Sequence, residues 1–333
     1  MEVPMSHRGR LALLFSTLLV AAACGGTGAT TAPGGGGSAA PSAALPSDAA
    51  RGAPSDAAPS GTAPSSSAPT SAEPSTGDGD DLLAAIQEAG VLRVSTDPNY
   101  APQSFLDPDG SYEGFDIDVA TEIAERLGVE VRFETPTFDA VVAGGWQGRW
   151  DISVGSVTVT EERQEVLGFS QPYYYTPAQL AAPEASGITD VEGFAGSAIC
   201  VGSSTTYQFW LEGTLALVDA PAPADPPDGA TASPLETDQL CAQAIASGRT
   251  EFDGWLSSST TVQAAIDADT PIVTVGDPVF FEPLAAAVDL NGPAHDELLA
   301  ELDRIVGEMH DDGTLTALSE QWFDGLDLTT TNE

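Results

Sequence analysis

The chain has 333 residues, 42% of them hydrophobic, and a formal net charge of -40 at pH 7. Its ten basic residues are all arginine, which sets aside the P-loop lysine and Schiff-base chemistry, and the acidity repels nucleic-acid backbones and anionic headgroups. The length accommodates one large domain or two ordinary ones.

Arg8 and Arg10 precede an apolar run, residues 11–23. As a helix this run would be about 20 Å long, short of a bilayer core of about 30 Å. With the small residues Ala21, Ala22 and Ala23 behind it, the run predicts a cleaved secretory signal over residues 1–23. Cys24 follows, then Gly25 and Gly26, a pattern similar to a lipobox whose cysteine carries the lipid, with Ala21 where leucine is usual. The expected location is therefore the outer face of the cell membrane, held by a lipid on Cys24, with plain secretion as the alternative. Residues 24–80 are dominated by Ala, Pro, Gly, Ser and Thr, a composition that buries no core. As a flexible coil such a tether averages roughly 40 Å end to end.

The predicted folded part runs from residue 81 to 327. Leu92 and Val94 alternate with polar neighbours as a strand; Asp116 is read as the cap of a helix carrying Val119, Ile123 and Leu127, which Gly128 stops. Val129, Val131 and Phe133 read as the next strand, residues 138–148 as a short helix and residues 151–157 as a third strand. A second such unit begins with a strand at 197–201, continues through Gly202-Ser203-Ser204-Thr205-Thr206 and enters a helix at Tyr207. The proline-rich stretch 220–234 is expected to be a surface excursion, followed by a helix near 240–245. Leu298, Leu302, Ile305, Val306 and Met309 form a helical stripe, and a last short helix holds Leu315, Leu318 and Trp322. Alternation of this kind predicts an α/β fold with largely parallel sheets and a ligand site beyond the strand ends.

Of three cysteines, Cys24 is assigned above, so Cys200 and Cys241, in an exported and oxidising setting, are expected to form a disulfide, with two buried thiols as the alternative. Catalytic constellations are absent from the pattern: His295 and His310 lie about four turns apart near the carboxy-terminal helix and cannot share one metal from it. No cofactor, metal or catalytic residue is assigned. The run from Gly155 and Ser156 through Thr158 to Arg163 stands out, because small residues there expose backbone amides and an arginine fork matches a carboxylate. The alternative is a surface arginine paired with Glu161 or Glu165. Trp146, Trp150, Trp255 and Tyr173-Tyr174-Tyr175 offer faces to a cation, with core packing as the competing role.

Four segments in order carry a resemblance: Thr96-Asp97-Pro98-Asn99-Tyr100-Ala101-Pro102; Gly114-Phe115-Asp116-Ile117-Asp118-Val119; the Thr158 to Arg163 run; and Phe169-Ser170-Gln171-Pro172-Tyr173. Together they resemble the family-3 extracellular solute-binding proteins, the polar amino acid class of ABC importers. The resemblance implies a two-lobed, periplasmic-binding-protein-like fold of type II, each lobe a mostly parallel sheet flanked by helices. Two hinge crossovers, near 177–182 and 277–283, would join lobe 1 (residues 81–178 plus 283–327) to lobe 2 (residues 179–282), leaving a tail at 328–333. Arg163 would then hold a ligand carboxylate with Thr158 and the backbone at Ser156. Ser204, Thr205 and Thr206 would offer amides across the cleft, Tyr100 and Phe138 would form walls, and Asp97 would meet a polar or cationic side chain. In place of the family's second-lobe aspartate, which meets the ligand ammonium, one alignment puts Ser258 and a shifted one Leu256, so neither supplies a carboxylate; the ammonium is then left to Asp97 and carbonyls, or the ligand is not a standard α-amino acid. The implied function is capture of a small polar, amino-acid-like solute and its delivery to an ABC permease by a monomer, without turnover and without nucleic acid. The alternative is a dehydratase of cyclohexadienyl carboxylates on the same fold.

Overall fold

The computed structural model describes residues 81–330; the predicted signal, Cys24 and the tether lie outside the described residues. The described chain opens with helix α1 (Leu82–Ala89), capped by Asp81, whose carboxylate accepts the N–H groups of Leu83 and Ala84 at 2.7 and 3.2 Å. Strand β1 (Val91–Ser95) leads to a small antiparallel sheet of β2 (Asn99–Tyr100), β3 (Ser104–Leu106) and β4 (Tyr112–Glu113). Helix α2 (Phe115–Leu127) starts at Gly114, where a β-carbon would stand 2.3 Å from the Gln103 carbonyl oxygen and φ is 130°. Only glycine permits that approach. Asp116 does not cap this helix: it sits in the first turn, fully buried, with its carboxylate turned into the protein.

The chain continues through β5 (Glu130–Glu134), α3 (Phe138–Val142), β6 (Ile152–Thr158) and α4 (Glu161–Gln164). Then comes the long strand β7 (Leu167–Pro183), followed by β8 (Ala198–Gly202), α5 (Thr206–Leu211), β9 (Thr231–Leu235), α6 (Asp238–Ala246), β10 (Gly254–Ser258) and α7 (Ser259–Asp267). A second long strand, β11 (Ile272–Asp289), returns the chain to α8 (Asp296–Asp311) and α9 (Thr314–Trp322). Helix α3 is shorter than its sequence suggests, because Gly144 and Gly145 take left-handed φ angles that end it. Residues 231–235, expected in a surface excursion, instead form β9, and Pro234 is tolerated there because β9 is an edge strand.

One eight-stranded sheet runs in the order β5-β1-β6-β11-β7-β10-β8-β9. Its flanks are parallel, while β7 and β11 pair antiparallel with each other and with β10 and β6 in the middle. The long pair carries the chain between two halves with separate cores. Leu92, Val94, Ile123, Ile152, Leu284, Leu302 and Ile305 pack in the first half. Leu180, Ile199, Val201, Trp210, Leu256 and Phe280 pack in the second. Pairing of β7 with β11 slips between Val275 and Phe280, where the Gln179 side-chain amide donates to the Val275 carbonyl at 3.0 Å. The expected crossover segments fall inside these two strands. Cys200 on β8 and Cys241 on α6 form a disulfide with a Cα–Cα distance of 5.8 Å, among Trp255, Ile245 and Phe252.

Candidate binding cleft

A narrow cavity, with about 40 Å3 free to a water-sized sphere, lies where the two halves meet. Its wall from the first half includes Asp97 after β1, Tyr100 on β2, Phe138 on α3, Gly155, Ser156 and Thr158 on β6, and Arg163 on α4. From the second half come Gly202, Ser203, Thr205, Thr206 and Tyr207 around the start of α5, and Glu236, Thr237 and Asp238 at the start of α6. Glu282 and Leu284 on β11 complete it.

Arg163 is placed by a short helix whose cap, Thr160, accepts the Arg163 N–H at 3.2 Å. The side chain is only 3% exposed. Nη1 donates to the Thr158 carbonyl at 2.9 Å and Nη2 to the Ser204 carbonyl at 3.0 Å, while buried Nε has no hydrogen-bond partner. The guanidinium carbon lies 5.2 Å from the centre of the Phe138 ring. Arg163 makes no salt bridge among the described residues, so pairing with Glu161 or Glu165 is not what holds it. Burial lowers its pKa to about 10, opposed by the charges of Glu282 and Glu162; it remains cationic at neutral pH.

Glu282 lies beside it, 2% exposed. Its Oε1 accepts the hydroxyls of Thr158, at 2.7 Å, and of Thr206, and Oε2 accepts that of Tyr207 at 2.7 Å. Burial raises the Glu282 pKa; the three hydroxyls and Arg163 pull the other way. Asp238 is the first residue of α6, behind the capping Thr237. Its Oδ1 stands 3.4 Å from the Trp255 indole N–H, and burial pushes its pKa up to about 7. Gly202 makes room for it, since a β-carbon there would sit 2.9 Å from Asp238 Oδ2. Asp97, half-buried, accepts the Asn99 N–H at 2.8 Å, and burial raises its pKa also.

Beneath the cavity floor, Ser156 takes a left-handed φ of 54°. Its N–H donates to the Tyr173 hydroxyl at 3.1 Å, and its Oγ donates to Asp116 at 2.7 Å and meets the Tyr174 hydroxyl at 2.6 Å. Tyr173 in turn donates to Asp116 at 2.8 Å. Burial pushes Asp116 up to about 7. These tyrosines, like Trp146, Trp150 and Trp255, are buried in the cores.

The structure thus gathers Asp97, Tyr100, Phe138, Ser156, Thr158, Arg163, Thr205 and Thr206 around one cavity. Ser204 lies behind Arg163, with its N–H donated to Gln208 Oε1 at 2.9 Å, so that amide is already spent. Ser258 is not among the lining residues. It is fully buried as the cap of α7, and its Oγ accepts from the Gln103 side-chain amide at 3.1 Å and from the Thr261 N–H at 3.2 Å. The second half does bring a carboxylate to the cavity wall, Asp238, and it comes from the start of α6 rather than from the end of β10 where Ser258 lies.

Sequence reasoning also passed over Glu282. Its signal was present: between Val279 and Val288 Glu282 is the one charged residue in an otherwise apolar run, and a charge set among such neighbours is buried only with partners. Asp238 gave a weaker one, because Thr-Asp before an apolar helix reads as ordinary cap chemistry.

The model for bacterial extracellular solute-binding proteins, family 3, matches residues 92–325. The L-cystine-binding protein TcyJ of Escherichia coli (strain K12) is 28% identical over 252 residues, which is 75% of this chain and 88% of that one. Among solved structures, a mutant of ArgBP from T. maritima superposes with a TM-score of 0.63 at 25% identity, covering 73% of this chain and 99% of that one. An ancestral amino acid-binding protein described as a precursor of cyclohexadienyl dehydratase superposes with a TM-score of 0.61 at 30% identity, covering 72% and 99%.

Proposed function

The chain belongs to the bacterial extracellular solute-binding proteins, family 3, and from that premise we propose that it is the capture component of an ABC importer, enclosing a small amino-acid-like solute between two lobes. The observation that carries this reading is Arg163: a buried cation at the wall of an interlobe cavity, with no salt bridge among the described residues and with an Nε that has no hydrogen-bond partner there. A buried donor left unmatched costs about 1–3 kcal/mol, more when charged, and a ligand carboxylate meets that need. Lobe boundaries at 81–178 plus 283–327 and at 179–282 complete the proposal, together with a lipid on Cys24, a monomeric state and a permease that reads the closed form. No helix among the described residues is long and apolar enough to cross a membrane.

The test is a thermal-shift screen of the full chain against amino acids, betaines and other small zwitterions. A ligand at 100 times its dissociation constant is expected to stabilise the protein by about 2.7 kcal/mol. The R163A variant is expected to lose that shift, with circular dichroism checking that it folds and R163K as a second, charge-retaining variant. An R163A shift equal to that of the parent overturns the assignment.

A second reading, a dehydratase, keeps one supporting observation: Asp238 is a cavity acid that burial pushes up to about 7, suited to proton donation near neutrality. On the capture reading the protein leaves prephenate unchanged; an aromatic product that disappears in D238N decides for the enzyme.

A further inference from the structure

Three hydroxyls that face the cavity are given to a carboxylate of the chain itself. Thr158 closes β6 in the first half, while Thr206 and Tyr207 open α5 in the second, and all three line the cavity. All three donate to Glu282, the Thr158 and Tyr207 bonds at 2.7 Å. Thr158 also ties this cluster to Arg163, because its carbonyl accepts Nη1 at 2.9 Å. Glu282 sits on β11, the strand that returns the chain from the second half to the first, so one side chain on the crossover takes donors from both.

Hydroxyls converging next to a guanidinium are the donor set that a solute carboxylate needs. Those of Ser156 and Thr205 are already directed elsewhere, to Asp116 and to the Gly202 carbonyl, each at 2.7 Å. A second carboxylate entering the cavity therefore meets Glu282 in front of the same donors and the same cation, and two like charges in one desolvated site are not both matched. One has to leave. The strand supplies a second place for Glu282, which pairs with Thr176 of β7 across the antiparallel ladder. Residues so paired stand on one face of the sheet with β-carbons roughly 5 Å apart. Thr176 is 1% exposed and is not among the residues lining the cavity, and its hydroxyl has no hydrogen-bond partner among the described residues. Buried hydroxyls are seldom left so. Rotation of the Glu282 side chain between staggered conformers moves its carboxylate from the cavity toward that hydroxyl.

Resting on the capture reading above, we infer that Glu282 is an internal competitor: its carboxylate holds the seat of the solute's carboxylate, and binding moves it to Thr176 and hands Thr158, Thr206 and Tyr207 to the solute. Removing the side chain then strengthens binding, the reverse of what losing a cavity residue ordinarily does. Removing its second seat weakens binding from outside the cavity.

The experiment titrates the full chain with the standard L-amino acids and L-cystine as probes, by isothermal titration calorimetry. It compares the parent with E282Q, E282A, T176V and the E282A/T176V double variant, with circular dichroism checking that each folds. A probe that binds is expected to bind E282A about tenfold more tightly than the parent and T176V about fivefold more weakly, with E282Q moving in the same direction as E282A. In the E282A background T176V is expected to change affinity by no more than about twofold, since the second seat has lost its occupant. Sodium acetate adds a probe that needs no knowledge of the solute: against equal sodium chloride it is expected to raise the melting temperature of E282A and to leave the parent unmoved. Unchanged or weaker binding in E282A and E282Q overturns the competition, as does a T176V effect that persists without Glu282 or an E282A protein indifferent to acetate. Where R163A still abolishes binding, those results leave capture standing. Should E282A misfold, E282Q and T176V decide the matter between them. No heat from any amino acid, with the acetate effect present, overturns the capture reading instead and leaves Glu282 in a carboxylate seat.

Discussion

Asp238 and Asp116 are acids whose proton affinity changes on folding, both pushed by burial from the ordinary carboxylate value of about 3.9 up to about 7. Between those limits the folded chain binds more protons than the unfolded one. Their contribution to stability is therefore present at low pH and is lost as pH rises toward 7. Urea unfolding of parent and D238N at pH 5 and pH 8 checks this. D238N is expected to be the more stable protein at pH 8, with the gap narrowing at pH 5; an equal gap at both refutes the coupling. The neighbours that hold Asp238 in this condition, Asp97, Glu282 and the Trp255 indole, lie far apart in sequence. That distance is why residue-type reasoning reached Arg163, flagged by the small residues around it, yet missed the acid opposite. Ser258 was drawn to the ligand by register alone; in three dimensions the same strand end turns its hydroxyl into the α7 cap.

At the level of elements, most of the alternating strands and helices could be read from hydrophobic period and glycine stops, as for β1, α2, β8 and α8, because each buries one face against its own half. What escaped reading depends on partners instead. Strand β9 carries proline and alternates poorly, and it exists because β8 offers a free edge from Ala198 to Gly202. The long strands β7 and β11 read not as strands but only as crossovers near 177–182 and 277–283, since their burial changes as they pass from one core to the other. The cystine ties two second-half elements, β8 and α6, across a sequence separation of 41. By the chain-entropy estimate, replacing both cysteines with serine costs about 4 kcal/mol. Because α6 also carries Asp238, C200S/C241S is expected both to lower the melting temperature and to weaken ligand binding. Unchanged affinity in the folded variant would show that α6 holds its place without the link.

For the whole molecule, several polar contacts cross between the halves. Gln103 from the first half donates to Ser258 and Thr260 of the second, at 3.1 and 2.7 Å, inside a fully buried cluster. Tyr100 meets Tyr207 at 3.2 Å, and Arg163 reaches the Ser204 carbonyl. Removing the Gln103 amide leaves buried hydroxyls short of a partner, a loss of about 1–3 kcal/mol that falls on the closed arrangement. Q103A is expected to weaken ligand binding about tenfold, chiefly by faster release in stopped-flow measurements; an unchanged release rate would mean that this cluster does not hold the halves shut. The chain's path through the long strand pair also orders its assembly. The second core draws on one continuous stretch, from Ala178 to Phe280, whereas the first needs Ile86 through Tyr174 together with Leu284 through Leu328. As the chain is made, amino terminus first, the second half is complete at about Phe280 and can pack while the first still waits for α8 and α9.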